Sequence, residues 1–171
     1  MLQRPAADEY APYYGTYISL VPDGDVRDHL RMQLHETVAM LSGVSDARGS
    51  VAYGPGKWTL KESLLHMIDA ERVFAYRLLR IARGDTTPLP GFEQDEWVPR
   101  SGANARPMAS LLIEFSAVRA ATLQLMDSLE PVAWARRGTA SDKPISTRAL
   151  AYICAGHERH HQRILRERYL A

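Results

Sequence analysis

The chain has 171 residues, of which 46% are hydrophobic and 24% are charged, proportions that are ordinary for a globular protein. Its 21 basic and 20 acidic residues give a formal net charge of +1, which argues against nucleic acid as the main partner. The single cysteine, Cys154, excludes an intrachain disulfide framework, and no secretory signal or run of about 20 apolar residues is found. We therefore expect one domain over residues 1–171, in a soluble cytoplasmic protein without a membrane partner.

The first two predicted helices are defined by apolar periodicity and by start signals. The first runs from about Asp25 to Ser42. Its apolar residues recur three or four positions apart and so share one helix face: Leu30, Leu34, Val38 and Leu41. The second runs from Thr59 to Gly84, and its start has Thr59 and Glu62 in the T-x-x-E spacing of a capping box.

The third predicted helix begins between Asn104 and Pro107 and continues to about Leu129. The fourth runs from near Ser146 to about Arg168, and no segment convincingly predicts a strand. Four helices of roughly 18–25 residues favour an all-α fold, an antiparallel four-helix bundle.

The connection between the second and third helices, residues 84–104, is long. Its 21 residues, GDTTPLPGFEQDEWVPRSGAN, include three prolines and two large aromatic residues. Loops beyond about 15 residues are uncommon in compact domains and are often functional. Two interpretations stay open: a crossover along the bundle, or a loop whose Trp97 contacts substrate.

The N-terminal segment EYAPYYGTYISLVP is rich in tyrosine. It could fold over an open end of the bundle, where Tyr13 and Tyr17 would contact substrate. A packed arm at a dimer surface is the alternative.

Three of the six histidines lie in the fourth helix, in the stretch AGHERHHQRILRERY. On a helical wheel His157 lies at the centre of the apolar face, His161 lies beside it, and His160 lies at its edge. Two histidines four residues apart project to the same side of a helix and can bind one ion. Buried polar groups need partners, so His157 and His161 are either metal ligands or core histidines with hydrogen-bonding neighbours.

His66 is the best candidate for a third ligand, because it lies within an apolar stretch of the second helix. Glu62 and Asp69 fall on its side of that helix and could orient its ring, although we prefer the capping role for Glu62. His160 could face the same site, but a polar contact between helices is the preferred interpretation. Cys154 is more typical of a small buried apolar residue than of a fourth ligand.

The two segments GKWTLKESLLHMIDAER and ALAYICAGHERHHQRIL together resemble the histidine-bearing helices of the DinB/YfiT-like superfamily. The resemblance extends from about Tyr14 to Leu170, and PLPGFEQDEWV resembles the long loop of one subgroup. It implies a four-helix bundle that binds a divalent metal through His66, His157 and His161. Zinc or nickel and a homodimer are also implied. Characterised members include thiol S-transferases and a mycothiol-dependent isomerase.

Three neutral imidazoles leave an ion with an open position, as in catalytic zinc sites. The ion could present a small thiol as thiolate to an electrophile, or it could convert bound water to a hydroxide nucleophile. The resemblance favours the first, a small-thiol S-transferase with a low-molecular-weight thiol as cosubstrate and a small-molecule substrate. A hydrolase that uses metal-bound hydroxide and a non-catalytic metal-binding dimeric bundle are the alternatives.

Overall fold

The computed structural model describes residues 2–171 and contains seven α-helices and two short strands. They are α1 (Gly15–Ile18), α2 (Val26–Leu41), α3 (Asp46–Gly49), α4 (Leu60–Ala82), α5 (Gln94–Trp97), α6 (Met108–Asp127), β1 (Arg137–Ala140), β2 (Lys143–Ser146) and α7 (Thr147–Ile164). A π-helical turn, Leu165–Tyr169, extends α7. The 3-10 segments are Ala7–Glu9, Pro12–Tyr14, Val98–Arg100, Ala103–Ala105 and Pro131–Ala135. The four long helices α2, α4, α6 and α7 confirm the predicted four-helix bundle; that residues 1–171 form one domain stays a prediction.

The starts of three long helices are fixed by the side chains that the sequence indicates. The Asp25 carboxylate accepts a hydrogen bond from the Arg27 amide at 3.0 Å. Thr59 and Glu62 form the expected reciprocal capping box at the start of α4. At the start of α7 the Ser146 hydroxyl accepts a hydrogen bond from the Ala149 amide at 3.0 Å. Each cap provides a partner for an amide that would otherwise have none at a helix start.

A small antiparallel hairpin precedes α7, so the expectation that the chain has no strands was wrong here. β1 pairs with β2 in the register Arg137 to Ser146 and Ala140 to Lys143. The turn residues Ser141 and Asp142 have positive φ angles of 51° and 60°. The strands are only four residues long, and the turn lacks the Asn-Gly or Asp-Gly pair that marks most such hairpins in a sequence.

The long helices pack in the ring order α2, α6, α4, α7. α4 and α6 begin at the same end of the bundle, because the Thr59 hydroxyl donates a hydrogen bond to the Asn104 side chain at 2.8 Å. α7 runs in the opposite direction to α4, since the Tyr169 hydroxyl donates to the Trp58 carbonyl at 2.6 Å. Residues 84–104 therefore lead from the C-terminal end of α4 back to its N-terminal end, as the crossover interpretation predicts.

α2 completes the bundle and runs parallel to α7. The Gln33 side chain donates to the Ala155 carbonyl at 2.8 Å, and the Thr37 hydroxyl donates to Glu158 at 2.7 Å. The ring therefore contains parallel as well as antiparallel neighbours, which is what the long crossover permits.

A layer of buried polar residues divides the core into two apolar clusters. At its centre the Arg119 guanidinium donates to both oxygens of Glu71, at 2.8 and 2.7 Å, and to Glu158 at 2.6 Å. It also donates to the Leu30 carbonyl at 2.9 Å. Arg119 is 1% exposed, so these bonds offset the cost of removing three charges from water. The network joins α2, α4, α6 and α7 next to the histidines of α7.

One helix, α6, is long and apolar enough to cross a membrane when judged by length and composition alone. Core helices of soluble proteins pass the same test. Here α6 carries Arg119, whose guanidinium is bonded to α4 and α7 inside the bundle.

Candidate metal centre

Three histidines from two antiparallel helices meet in the polar layer. His66 lies on the second turn of α4, and His157 and His161 lie one turn apart on α7. Their side chains are almost fully buried, with exposed fractions of 4%, 6% and 8%. The i, i+4 spacing on α7 directs both rings to the face that packs against α4.

The three rings point their Nε2 atoms at one another. The Nε2 atom of His157 lies 3.1 Å from that of His66 and 3.2 Å from that of His161. One ligand atom from each residue lies within 4.8 Å of the others. Nitrogens bound to one tetrahedral zinc at 2.0–2.1 Å are about 3.3 Å apart, so this spacing matches a set of metal ligands.

Hydrogen bonding alone does not satisfy this arrangement. In a neutral imidazole, Nε2 either donates one proton or accepts at one lone pair. The Nε2 atom of His157 can therefore form one good hydrogen bond, either with His66 or with His161, but not with both. A divalent cation would accept all three lone pairs at once, and the donor set therefore fits a metal better than it fits a cluster of buried histidines.

The surroundings keep these imidazoles in the neutral form that binds metal. Burial lowers the pKa of His66 to about 4, against a smaller opposing effect of the Asp95 charge. Burial, together with the neighbouring histidines, also holds the pKa values of His157 and His161 well below the ordinary range. All three rings therefore favour the neutral form, in which one ring nitrogen has a lone pair that can bind a cation.

Aromatic side chains surround the three histidines. The Trp58 ring lies against His66, with ring centroids 4.9 Å apart. Tyr17 and Phe74 meet the ring of His157 edge-on, with centroids 5.4 and 5.5 Å away. These apolar walls limit the access of water and fix the orientation of the imidazoles.

Two cavities reach the histidines from different sides. The first, of about 540 Å³, borders His161 and is walled by Trp58 and Lys57 among others. The second, of about 450 Å³, borders His157. Asp95, on the short helix α5, lines both cavities. Its carboxylate makes no hydrogen bond or ion pair with any side chain in residues 2–171, and its charge raises the pKa of His66.

A family model for the DinB superfamily matches residues 29–165, a range that contains all three histidines. The chain belongs to the DinB superfamily. The resemblance found in the sequence is thereby confirmed.

Among solved structures, YfiT from Bacillus subtilis shares the fold of this DinB-superfamily chain. The two superpose with a TM-score of 0.68 over 96% of this chain and 92% of YfiT, at 14% sequence identity. YfiT is described as "a probable metal-dependent hydrolase with an unusual four-helix bundle topology". At this identity the likeness establishes the fold alone. The search of curated proteins found no match.

The three residues that the sequence suggests for substrate contact in this DinB-superfamily protein line two different cavities. Tyr13 and Tyr17 line the cavity that His157 borders, and their hydroxyls are 3.0 Å apart. Burial, and then the hydrogen bond to Tyr13, raise the pKa of Tyr17. Trp97 instead lines a third cavity on the outer side of α4.

The candidates for orienting His66 are engaged elsewhere. Glu62 accepts hydrogen bonds from the Thr59 amide at 2.8 Å and from the Asn104 side chain at 3.1 Å, which is the capping role we preferred. Asp69 pairs with Arg72 at 3.3 Å. Neither carboxylate forms a hydrogen bond with His66, so a role in orienting its ring stays a prediction.

Two further sequence candidates lie near the centre without joining it. His160 is partly exposed and packs against Tyr17 and His161, with ring centroids 5.5 and 5.2 Å away. Cys154 is buried in an apolar cluster, and burial raises the pKa of its thiol well above the ordinary range. The three converging nitrogens therefore belong to His66, His157 and His161.

Sequence reasoning missed several residues of the site. The Arg119 network gave a detectable signal, since Glu71 and Glu158 are charges on the inward faces of apolar helices. Asp95 gave no comparable signal, because a polar residue is ordinary in a long loop, and its position near the histidines depends on how that loop folds.

Proposed function

We propose that this chain is a metal-dependent enzyme whose divalent ion is bound by His66, His157 and His161. The observation that carries the proposal is the convergence of three buried Nε2 atoms. Each Nε2 atom has only one lone pair or one proton, so hydrogen bonds among the three rings cannot satisfy all of them. Imidazole nitrogen suits zinc and nickel, so either is a candidate occupant. The description of YfiT as metal-dependent supports the same proposal.

When bound, such an ion supplies a Lewis acid with an open position, which lowers the pKa of a thiol or water that it binds. The chain's own residues would do the rest. Trp58, Tyr17 and Phe74 pack against the rings of His66 and His157 and fix their orientation. Asp95 borders both cavities, and its carboxylate oxygens would accept the proton that the nucleophile loses.

Transfer of a small thiol is the reaction we favour. A transferase must admit two molecules to one centre, and two separate cavities border two of the three histidines. The thiol sulfur would form a bond to an electrophilic carbon of the second substrate. The leaving group would depart with its bonding electron pair, and the thiol proton would pass to Asp95. The low-molecular-weight thiol is thus a cosubstrate.

Hydrolysis is the second candidate. The description of YfiT as a probable hydrolase favours it, and so does a carboxylate that borders both cavities and could take a proton from water. A single organic substrate would then need only one of the cavities. A metal-binding bundle without catalysis is the remaining alternative.

Elemental analysis of protein purified without a nickel column tests the metal site. We expect about one divalent ion per chain in the wild type and its loss in His161→Ala. His160→Ala is the matched control, because His160 is the adjacent histidine whose ring lies outside the convergence; it should retain the ion. Absence of metal in all three proteins after reconstitution would refute the proposal.

The cobalt-substituted protein separates the two reactions. A transferase should develop a thiolate-to-cobalt absorption band with 2-mercaptoethanol and should conjugate that thiol to 1-chloro-2,4-dinitrobenzene. A hydrolase with an open metal position also binds the thiol, but it should not conjugate it and should instead cleave p-nitrophenyl acetate. A structural ion should give no activity, and its chelation should lower the melting temperature sharply.

The remaining expectations are part of the proposal. They are a small-molecule substrate, a homodimer, a cytoplasmic location, and no nucleic-acid or membrane partner. The formal net charge of +1 supports the expectation on nucleic acid.

A further inference from the structure

A third cavity lies on the outer side of α4, beneath the 84–104 crossover. It has a volume of about 420 Å³. Its walls are mainly apolar and include Val73, Tyr76, Leu89, Phe92 and Trp97. Pockets for small molecules span about 300–1,000 Å³ and are mostly apolar with a few polar groups, so this cleft has the size and lining of a small ligand site.

The Phe92 wall of the cleft is held by a buried arginine. Arg77 is 2% exposed, and its guanidinium donates to the Pro90 carbonyl at 2.6 Å and to the Ser141 hydroxyl at 3.1 Å. The same guanidinium lies over the Phe92 ring, 5.7 Å from its centroid. Leu89 is pinned as well, because its amide donates to the Thr139 carbonyl at 2.9 Å.

Tyr76 and Trp97 are held in place as well. Arg80 donates to the Tyr76 hydroxyl and forms an ion pair with Asp85. The Trp97 ring packs against Phe92 with centroids 5.0 Å apart and an angle of 38° between the planes. The aromatic lining residues are therefore held in place by neighbouring side chains, so little ordering would be needed to bind a ligand.

Two large aromatic side chains are exposed in this cleft. Tyr76 and Trp97 are 52% and 43% exposed. Exposed aromatic groups that share one concave, apolar surface are typical of a binding site. They are arranged around one cavity that is too small for a folded segment, and their faces suit a flat ring by stacking.

We infer that the cleft lined by Tyr76 and Trp97 binds a small molecule through a flat aromatic ring. Three charged residues also line the cleft: Arg72 pairs with Asp69 at 3.3 Å and with Glu114 at 2.5 Å, and Arg77 donates to the neutral Pro90 and Ser141 oxygens. The mainly apolar walls favour entry of the ring as an apolar group, in contact with the two aromatic side chains.

The cleft adjoins the candidate metal centre. Phe92 and Gly91 line both this cleft and the cavity that His157 borders. A ligand whose ring occupies the cleft would direct a substituent past Phe92 toward the histidines. This orientation rests on the proposed function and would make the aromatic compound the electrophilic substrate; binding of the ring does not rest on it.

Calorimetric titration of the metal-free protein with 2-naphthol tests the inference. We expect saturable one-to-one binding, and weaker binding of 1-adamantanol, which is apolar but not flat. Trp97→Ala and Tyr76→Ala should each weaken 2-naphthol binding at least about fivefold, because each removes one aromatic wall. Circular dichroism would establish that the variants keep the wild-type helix content.

Tyr53→Ala is the matched control. Tyr53 is another exposed tyrosine, 44% exposed, but it lines the cavity that His161 borders. Its removal should leave 2-naphthol binding unchanged. Loss of binding in Tyr53→Ala alone, equal binding by all variants, or no saturable binding by the wild type would overturn the inference.

Sedimentation of the wild type and Trp97→Ala tests whether a second copy of the chain occupies the cleft instead of a small molecule. A dimer that dissociates only in Trp97→Ala would make the cleft a protein contact and would also overturn the inference. Because the titration uses metal-free protein, its failure is distinct from failure of the metal-site proposal.

Discussion

The backbone carbonyl of Tyr17 packs directly on Gly156, the residue before His157. A β-carbon on Gly156 would overlap that carbonyl and its carbon atom. α1 therefore approaches α7 more closely than any other residue at this position would allow. The close approach holds the Tyr17 ring edge-on to His157, with centroids 5.4 Å apart.

Gly156→Ala should lower the free energy of unfolding by about 2–3 kcal/mol, because α1 must move away from α7. Urea unfolding of the metal-free protein measures the change. Gly43→Ala is the control, since a β-carbon there meets no atom within 4 Å, and it should change stability by less than about 1 kcal/mol. A Gly156→Ala protein as stable as the control would mean that α1 does not pack in this way.

Metal affinity should depend on His66, His157 and His161 and not on the neighbouring His160. His66→Ala, His157→Ala and His161→Ala should each weaken zinc binding more than about 100-fold, since each removes one of three nitrogen ligands. His160→Ala should change it less than about threefold, because its ring lies outside the convergence. Competition with a chromophoric chelator gives the affinities. Unchanged affinity in His66→Ala would show that the ligand assignment is wrong.

Arg119→Met should destabilise the fold by about 3–5 kcal/mol, because it leaves the Glu71 and Glu158 carboxylates buried without their cation. Arg72→Met is the matched control. The Arg72 side chain is 47% exposed, so loss of its ion pairs should cost less than about 1 kcal/mol. Chemical denaturation of both variants tests this difference, and equal losses would contradict the central role assigned to Arg119.

The sequence predicts the parts of this fold that local patterns specify. Apolar periodicity located the four long helices, and the side chains of Asp25, Thr59 and Ser146 marked three helix starts. The inward positions of His157 and His161 followed from the same periodicity. These features depend on residues within one helix, which is why one sequence suffices to find them.

The parts that were missed depend on how distant segments meet. Each strand of the hairpin before α7 is only four residues long, and its turn lacks an Asn-Gly or Asp-Gly pair. Helix order and direction depend on a crossover whose path no local pattern gives. The place of Asp95 between two cavities, like the separation of Trp97 from Tyr17, follows from that same path.

The metal-free protein should lose stability as the pH falls below about 6.5. The folded-state pKa of His66 is lowered to about 4, so the unfolded chain binds its proton first and unfolding is favoured by acid. For this group alone the loss is about 2 kcal/mol at pH 5. Lowered pKa values at His157 and His161 act in the same direction.

Urea unfolding at pH 7.5 and pH 5 measures this dependence. His66→Gln should reduce it, and His35→Gln should not, since His35 is exposed on α2. Bound zinc should increase the dependence, because protons compete with the metal for the same nitrogens. Stability that is independent of pH in the metal-free protein would contradict the burial of neutral imidazoles.

Asp95→Asn should separate proton transfer from metal binding. The carboxylate lines both cavities and makes no hydrogen bond or ion pair with any side chain in residues 2–171, so the fold and the metal content should be unchanged. Turnover of the thiol conjugation should fall about 100-fold or more, because the amide cannot accept the proton. Glu93→Gln is the matched control, since Glu93 lines only the cavity that His157 borders, and it should retain most activity.

A second measurement on Asp95→Asn does not require a substrate. The Asp95 charge raises the pKa of His66, so its neutralisation should lower that pKa further. Nuclear magnetic resonance of the His66 ring in metal-free protein follows the titration, and Glu93→Gln should leave it unchanged. A His66 pKa that is the same in Asp95→Asn and the wild type would place the carboxylate too far away to exchange protons at this centre.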